Sequence, residues 1–192
     1  MSKVVVLTNL TLDGVMQGPA RPDEDRRGGF EHGGWAAPYA AMEATGNNFA
    51  SAGALLFGRR TYENFYAVWP KQTNSPYTEF LNTIQKYVAS TTLKEPLPWS
   101  NSTLLKGDAA QAVSQLKQQP GKDLLIMGSG ELIQSLMQAN LIDDYMLLIH
   151  PLVLGSGRRL FPDGGAAATL RLVAISTTDK GVVIATYQPA SQ

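Results

Sequence analysis

The chain is expected to fold as one three-layer α/β domain over residues 1–192, with a mixed, mostly parallel sheet, helices on both faces and a C-terminal antiparallel hairpin. Three observations predict this. Short apolar runs alternate with helical patterns as far as residue 150, the order that builds parallel βαβ units. Two of those runs, Val4–Leu7 and Leu124–Met127, are apolar at every position, as in strands covered on both faces. The final stretch changes character, because residues 170–177 and 182–187 flank Asp179-Lys180-Gly181, a hairpin signal. At 192 residues a single domain is the better prior, and such a chain buries roughly 70% of its unfolded surface.

Taken in order, Lys3–Leu10 is rich in β-branched residues and reads as a central strand, followed by a turn at Asp13-Gly14 and a brief resumption at Val15-Met16. Residues 17–34 carry Pro19, Pro22, the charged run Asp23–Arg27 and four glycines between Gly28 and Gly34, so a loop is expected. Loops of this length inside a compact domain are usually functional or mobile. Trp35–Gly46 reads as a helix and Ala54–Phe57 as a strand. After Gly58-Arg59-Arg60-Thr61, the residues Tyr62, Phe65, Tyr66 and Trp69 lie in a helical or turn segment closed by Pro70. Pro76 opens a second short helix with Phe80, Leu81 and Ile84 inside. Tyr87–Ser90 is a strand ending in hydroxyls, residues 94–101 a loop, and Thr103–Leu105 a weak strand. Asp108 is placed to cap a helix over Ala109–Gln119 that Pro120-Gly121 stops. Gly128 and Gly130 end the next strand, and Glu131 opens a helix with Leu132, Ile133, Leu136 and Met137 on one side. Tyr145–His150 is a long strand, and 151–161 a loop.

Composition removes several function classes. With 16 basic and 16 acidic side chains, binding to nucleic acid or an anionic membrane mainly by charge is not expected. The absence of cysteine excludes thiolate ligands and cysteine nucleophiles, and two histidines are too few for a histidine metal cage, so no metal is expected. Met1-Ser2-Lys3 runs straight into a short apolar stretch without a cleavage site, and no run reaches membrane-spanning length. A soluble, cytoplasmic protein is therefore expected.

Three strand-to-helix turns carry suitable chemistry for an anionic ligand. Gly128-Ser129-Gly130 offers free backbone N–H groups, Gly58-Arg59-Arg60-Thr61 two guanidiniums, and Ser90-Thr91 hydroxyls. In open α/β sheets ligands bind beyond the carboxyl ends of strands, where these turns fall. Together they suit a ligand with several phosphates, and paired arginines favour a phosphate monoester, hence NADP over NAD. A Rossmann fingerprint is excluded by Ile133 where the third small residue belongs and by His150-Pro151 near the expected acidic position. No Gly-Lys-Ser/Thr follows a glycine, so there is no P-loop. Neither Ser129 nor Ser156 has the flanking glycines of a hydrolase elbow.

These turns, in their order and spacing, resemble the dihydrofolate-reductase fold. Thr11-Leu12-Asp13-Gly14 and Pro151–Phe161, with its Leu154-Gly155-Ser156-Gly157-Arg158-Arg159 core, look more narrowly like the reductase half of the bifunctional riboflavin-biosynthesis deaminase/reductase and its free-standing relatives. The resemblance spans essentially the whole chain and implies an NADPH-dependent oxidoreductase. It would place Gly58, Arg59, Arg60 and Thr61 on the cofactor phosphates and Ser90 and Thr91 near the 2′-phosphate. Gly128, Ser129, Gly130, Glu131 and Leu132 would line the pyrophosphate, with Asn9 and Met16 approaching the nicotinamide. Asp13, as catalytic residue, would face a small-molecule substrate together with Trp35 and Tyr39. The implied substrate resembles 5-amino-6-(5-phosphoribosylamino)uracil.

The sequence departs from true folate reductases, which carry a carboxylate on the first helix; after Pro38-Tyr39 the first acid is Glu43. A pterin or dihydrofolate-type reductase, or a non-catalytic NADP-binding sensor, are the alternatives. Relatives of this fold often pair, which leaves a homodimer open. His150, ahead of Pro151, reads as an ordinary strand end.

Overall fold

In the computed structural model, residues 2–39, 49, 51–73 and 75–190 are described. Eight strands form one sheet: β1 (Val4–Thr11), β2 (Ala52–Gly58), β3 (Gln85–Ala89), β4 (Ser102–Leu105), β5 (Asp123–Met127), β6 (Asp144–His150), β7 (Leu170–Thr177) and β8 (Val183–Pro189). Their spatial order is β4-β3-β2-β5-β1-β6-β8-β7. The first six strands in this order are parallel neighbours, and β8 and β7 add on antiparallel through β6, as the hairpin signal predicts. Among the described residues four helices follow strands or loops: α1 (Arg59–Val68), α2 (Pro76–Thr83), α3 (Ala109–Gln118) and α4 (Gly130–Gln138).

The strand period of two divides the core between the faces. Val4, Val6, Leu56, Leu124, Ile126, Tyr145 and Leu147 pack with Val113 of α3 and Ile133 and Leu136 of α4. The intervening Leu7, Leu55, Phe57 and Leu125 pack with Tyr62 of α1 and Leu81 of α2. This is why the central runs contain no polar alternation, since each face meets its own helix layer.

Two local expectations change. The sequence between residues 94 and 101 is no mere surface loop, because Trp99 is 3% exposed. Its backbone N–H donates to Tyr62 Oη at 3.0 Å and its indole to Asn82 Oδ1 at 2.7 Å. The helix expected over Trp35–Gly46 begins as a 3-10 turn at Ala37–Tyr39, where Pro38 lacks the N–H that an α-helical ladder needs; residues 40–46 lie outside the described residues. Asp108 caps α3 as expected, accepting from Gln111 N at 2.8 Å.

The 17–34 segment is irregular but tied down. Gln17 is 4% exposed and uses both ends of its amide. Nε2 donates to the carbonyls of Asp25 and Arg27 at 3.2 and 2.9 Å, and Oε1 accepts from Arg158 N at 2.9 Å. Trp35 donates to Gln17 O at 2.8 Å and packs with Val15 and Phe30. Gly157 has φ +119, and a Cβ there would lie 2.7 Å from Val15 Cγ1, so this close approach requires glycine.

Candidate active site

A cavity of about 1410 Å³ opens at the carboxyl edge of the central strands. The turns bordering it take their shape from backbone chemistry. Gly128 and Ser129 both occupy left-handed conformations, φ +60 and +62, at the step from β5 into α4. That conformation is costly for serine and is held by a tertiary bond, Gly58 N donating to Ser129 Oγ at 2.9 Å. The first N–H groups of α4 have no intrahelical acceptor, and residues Gly128–Leu132 line the cavity. The arrangement is an anion cradle of backbone donors at the positive end of a helix.

β2 delivers the second turn. Arg59 and Arg60 occupy the first positions of α1, and Arg59 Nη1 is partly committed to Glu63 Oε2 at 3.0 Å. β3 delivers the third, in which Ser90 Oγ accepts from the N–H groups of Thr92 and Leu93 at 3.1 and 3.0 Å. All three turns line the one cavity with Asn9 and Met16, so the thirteen expected cofactor positions share its wall. Met16 reaches the cradle because Val15 bridges to Arg159 and Met16 N donates to Arg158 O at 2.9 Å.

Asp13, Trp35 and Tyr39 are placed differently: none belongs to the cavity wall. Asp13 accepts from Thr11 Oγ1 at 2.6 Å and from Leu154 N and Gly155 N at 3.2 and 2.8 Å. The Thr11 hydroxyl first, then these two amides, holds its carboxyl below the ordinary carboxylate range. A carboxylate so engaged clamps the loop after β1 to the loop after β6 and is poorly suited to donate a proton. Trp35 and Tyr39 instead flank His150 edge-on, with ring centroids 5.2 and 5.4 Å away. His150 Nε2 lies 2.9 Å from Asn9 Oδ1, and its Nδ1 is buried without a partner among the described residues. Burial pushes its pKa down to about 4, so the imidazole is neutral. These rings thus brace the Asn9 end of β1 from behind. Glu43 lies outside the described residues.

The structure adds residues that sequence reasoning missed. Arg27, from the tied-down segment, and Arg158, from the loop after β6, reach Glu131 Oε1 at 3.5 and 3.8 Å, over the first turn of α4. Both line the cavity. The same cavity is lined by the aromatic side chains of Phe49, Phe65, Trp69, Tyr77 and Phe80. The spacing Thr61-Phe65-Trp69, four residues apart, is the one legible signal, since it sets three side chains on one side of α1 and its 3-10 extension. Among the described residues no group of three or more His, Asp or Glu side chains is arranged to hold a metal.

The RibD C-terminal domain profile matches residues 2–184. The chain belongs to the RibD C-terminal domain family. It is 31% identical over 137 residues to the uncharacterized protein YyaP of Bacillus subtilis, covering 69% of this chain and 72% of that protein. The fold is shared with a crystal structure from Shewanella sp. PV-4 described as a candidate riboflavin biosynthesis protein, with TM-score 0.72, 21% identity and full coverage of both chains. It is shared also with the diaminohydroxyphosphoribosylaminopyrimidine deaminase/5-amino-6-(5-phosphoribosylamino)uracil reductase of Thermotoga maritima. That match has TM-score 0.63 and 13% identity, and covers 98% of this chain and 57% of that one.

Proposed function

We propose that this RibD-family domain is an NADPH-dependent reductase of a small heterocyclic substrate. The observation that carries the reading is the convergence on one cavity of the Gly128–Leu132 cradle, the Arg59-Arg60-Thr61 turn and the Ser90-Thr91 turn. Backbone donors at a helix start suit a pyrophosphate, and a guanidinium pair beside two hydroxyls suits the further phosphate that separates NADPH from NADH. The residues present therefore fit the cofactor, whose nicotinamide supplies a hydride when bound.

This chain's own contribution is positioning. Asn9, whose amide is fixed by neutral His150, would orient the ring at the end of β1. Met16 would cover it from the side of the loop, and the tied-down 17–34 segment would exclude water. Hydride would pass to the carbon of a carbon–nitrogen or carbonyl double bond, and solvent would protonate the adjoining heteroatom. The ribosylamino pyrimidine named for the Thermotoga protein is one substrate compatible with this scheme and a pterin is another; a non-catalytic NADP-binding sensor is the alternative without turnover.

Replacing Arg59 and Arg60 together by alanine should weaken NADPH binding by at least about tenfold while leaving NADH binding nearly unchanged, as measured by fluorescence titration. Equal affinity of the unaltered protein for the two nucleotides would sink the 2′-phosphate reading. Steady oxidation of NADPH with a pyrimidine or pterin acceptor separates the reductase from the sensor. We also infer a homodimer joined through β7, an edge strand with Leu172, Val173 and Ile175 exposed.

A further inference from the structure

The cavity exceeds the roughly 300–1,000 Å³ typical of a site for one drug-sized ligand, which leaves room for a second ligand beside a nucleotide. Its wall has two kinds of lining. The charged side chains on its wall come from the 17–34 segment, the starts of α1 and α4, Asp108 and the Arg158-Arg159 loop. A connected run of aromatic rings forms another part of the wall. Phe65 meets Trp69 at 6.3 Å between centroids, Trp69 meets Tyr77 edge-on at 4.7 Å, and Phe49 meets Tyr77 and Phe80 at 5.2 and 5.5 Å. Among the described residues, this aromatic stretch contains no carboxylate, ammonium or guanidinium. Its one polar group of consequence is the Tyr77 hydroxyl, which among the described residues finds only Met127 Sδ at 3.8 Å. A thioether is a weak acceptor, so the phenol retains most of a hydrogen bond to give. Burial also raises the pKa of Tyr77, which keeps it a donor.

We propose that this aromatic part of the wall lines the acceptor chamber and that the chamber takes an uncharged, phosphate-free planar ring. Such a ring stacks against Trp69 and Phe65 and accepts a hydrogen bond from Tyr77 Oη through a carbonyl or ring nitrogen. The proposal rests on the reading of the charged lining as the nucleotide site. A phosphate or sulfonate carried against the aromatic lining would lose its hydration with no cation to replace it. This separates the chain from a reductase built for a phosphoribosyl substrate.

The test compares 1,4-naphthoquinone with 1,4-naphthoquinone-2-sulfonate, which differ by one charged group, using equilibrium dialysis on the full chain with and without saturating NADP+. The chain has no cysteine, so the quinone cannot be trapped as a thioether. The neutral ring should bind at least about tenfold more tightly than the sulfonate. Tyr77→Phe, which preserves the packing, should weaken it by about three- to tenfold, and Trp69→Ala by more than about tenfold. Equal or tighter binding of the sulfonate, or neutral-ring affinity unchanged in Tyr77→Phe, would overturn the proposal. If NADP+ fails to bind while the quinone binds and responds to both variants, the nucleotide reading falls and the aromatic chamber stands. If NADP+ binds but the quinone pair shows no discrimination, the chamber falls and the nucleotide site stands.

Discussion

His150 is the residue whose environment most exceeds what its sequence position implies. It is 3% exposed, its Nε2 is held by Asn9, and the edges of Trp35 and Tyr39 close around it. Its pKa falls from 6.5 to about 4 on folding through burial. Because the folded value is the lower one, the unfolded chain takes up a proton first as the solution is acidified. The native state is therefore destabilised as pH falls from 6.5 toward about 4, by up to about 3 kcal/mol. His150→Gln, which keeps a donor for Asn9, should flatten the Tm–pH profile in that window; an identical acid slope in the variant would contradict this origin. Asp13 makes the complementary point. Being the early acid beside a turn marked it as a catalytic candidate, yet the residues that occupy its oxygens come from Thr11 and from 154–155, the latter more than 140 positions away. No local pattern announces a partner that distant.

At the scale of elements, the 17–34 segment and the α4 turn show two kinds of information. The Gly128-Ser129-Gly130 turn was legible because strand, small residues and amphipathic helix succeed each other within one short stretch, and the backbone conformations follow from that order. The ordering of 17–34 was not, because it depends on a single buried amide. Gln17 holds Asp25, Arg27 and Arg158 together through three hydrogen bonds. Gln17→Ala would leave those part-buried backbone groups without their partner at a cost of about 1–2 kcal/mol and release the segment. Limited trypsin digestion should then cut at Arg26 or Arg27 well before the unaltered protein is cleaved; equal resistance would show that Trp35 and Phe30 alone retain it. The same release would withdraw Arg27 from Glu131 and leave the start of α4 less screened from water.

For the molecule as a whole, the sheet order leaves β4 and β7 as its edges, and β7 is the more exposed of the two. β7 is exposed from Arg171 to Thr177, with Leu172, Val173 and Ile175 at 46, 46 and 61% exposure, and it carries neither proline nor lysine to discourage pairing. Natural proteins rarely leave such an edge bare. An antiparallel edge is self-complementary about a two-fold axis, so a second copy is the partner it suits. Ile175→Lys should convert a dimer to monomer in sedimentation equilibrium without destabilising the folded chain itself by more than about 1 kcal/mol, because the site is exposed. A monomeric unaltered protein would end this inference.

The sequence by itself determined the alternation of elements, the hairpin and the three anion-suited turns, because each is written in residues close along the chain, and period, capping and glycine placement act locally. The resemblance of those turns, in order, also pointed to the family. Only the tertiary structure decided that β5 lies between β2 and β1, which gathers turns from residues 58, 90 and 128 around one cavity. It alone turned Asp13 into a clamp and His150 into a brace, and joined Phe49, Phe65, Trp69, Tyr77 and Phe80 in one run. These outcomes depend on which distant surfaces exclude water together, a property of packing that no short window of sequence contains.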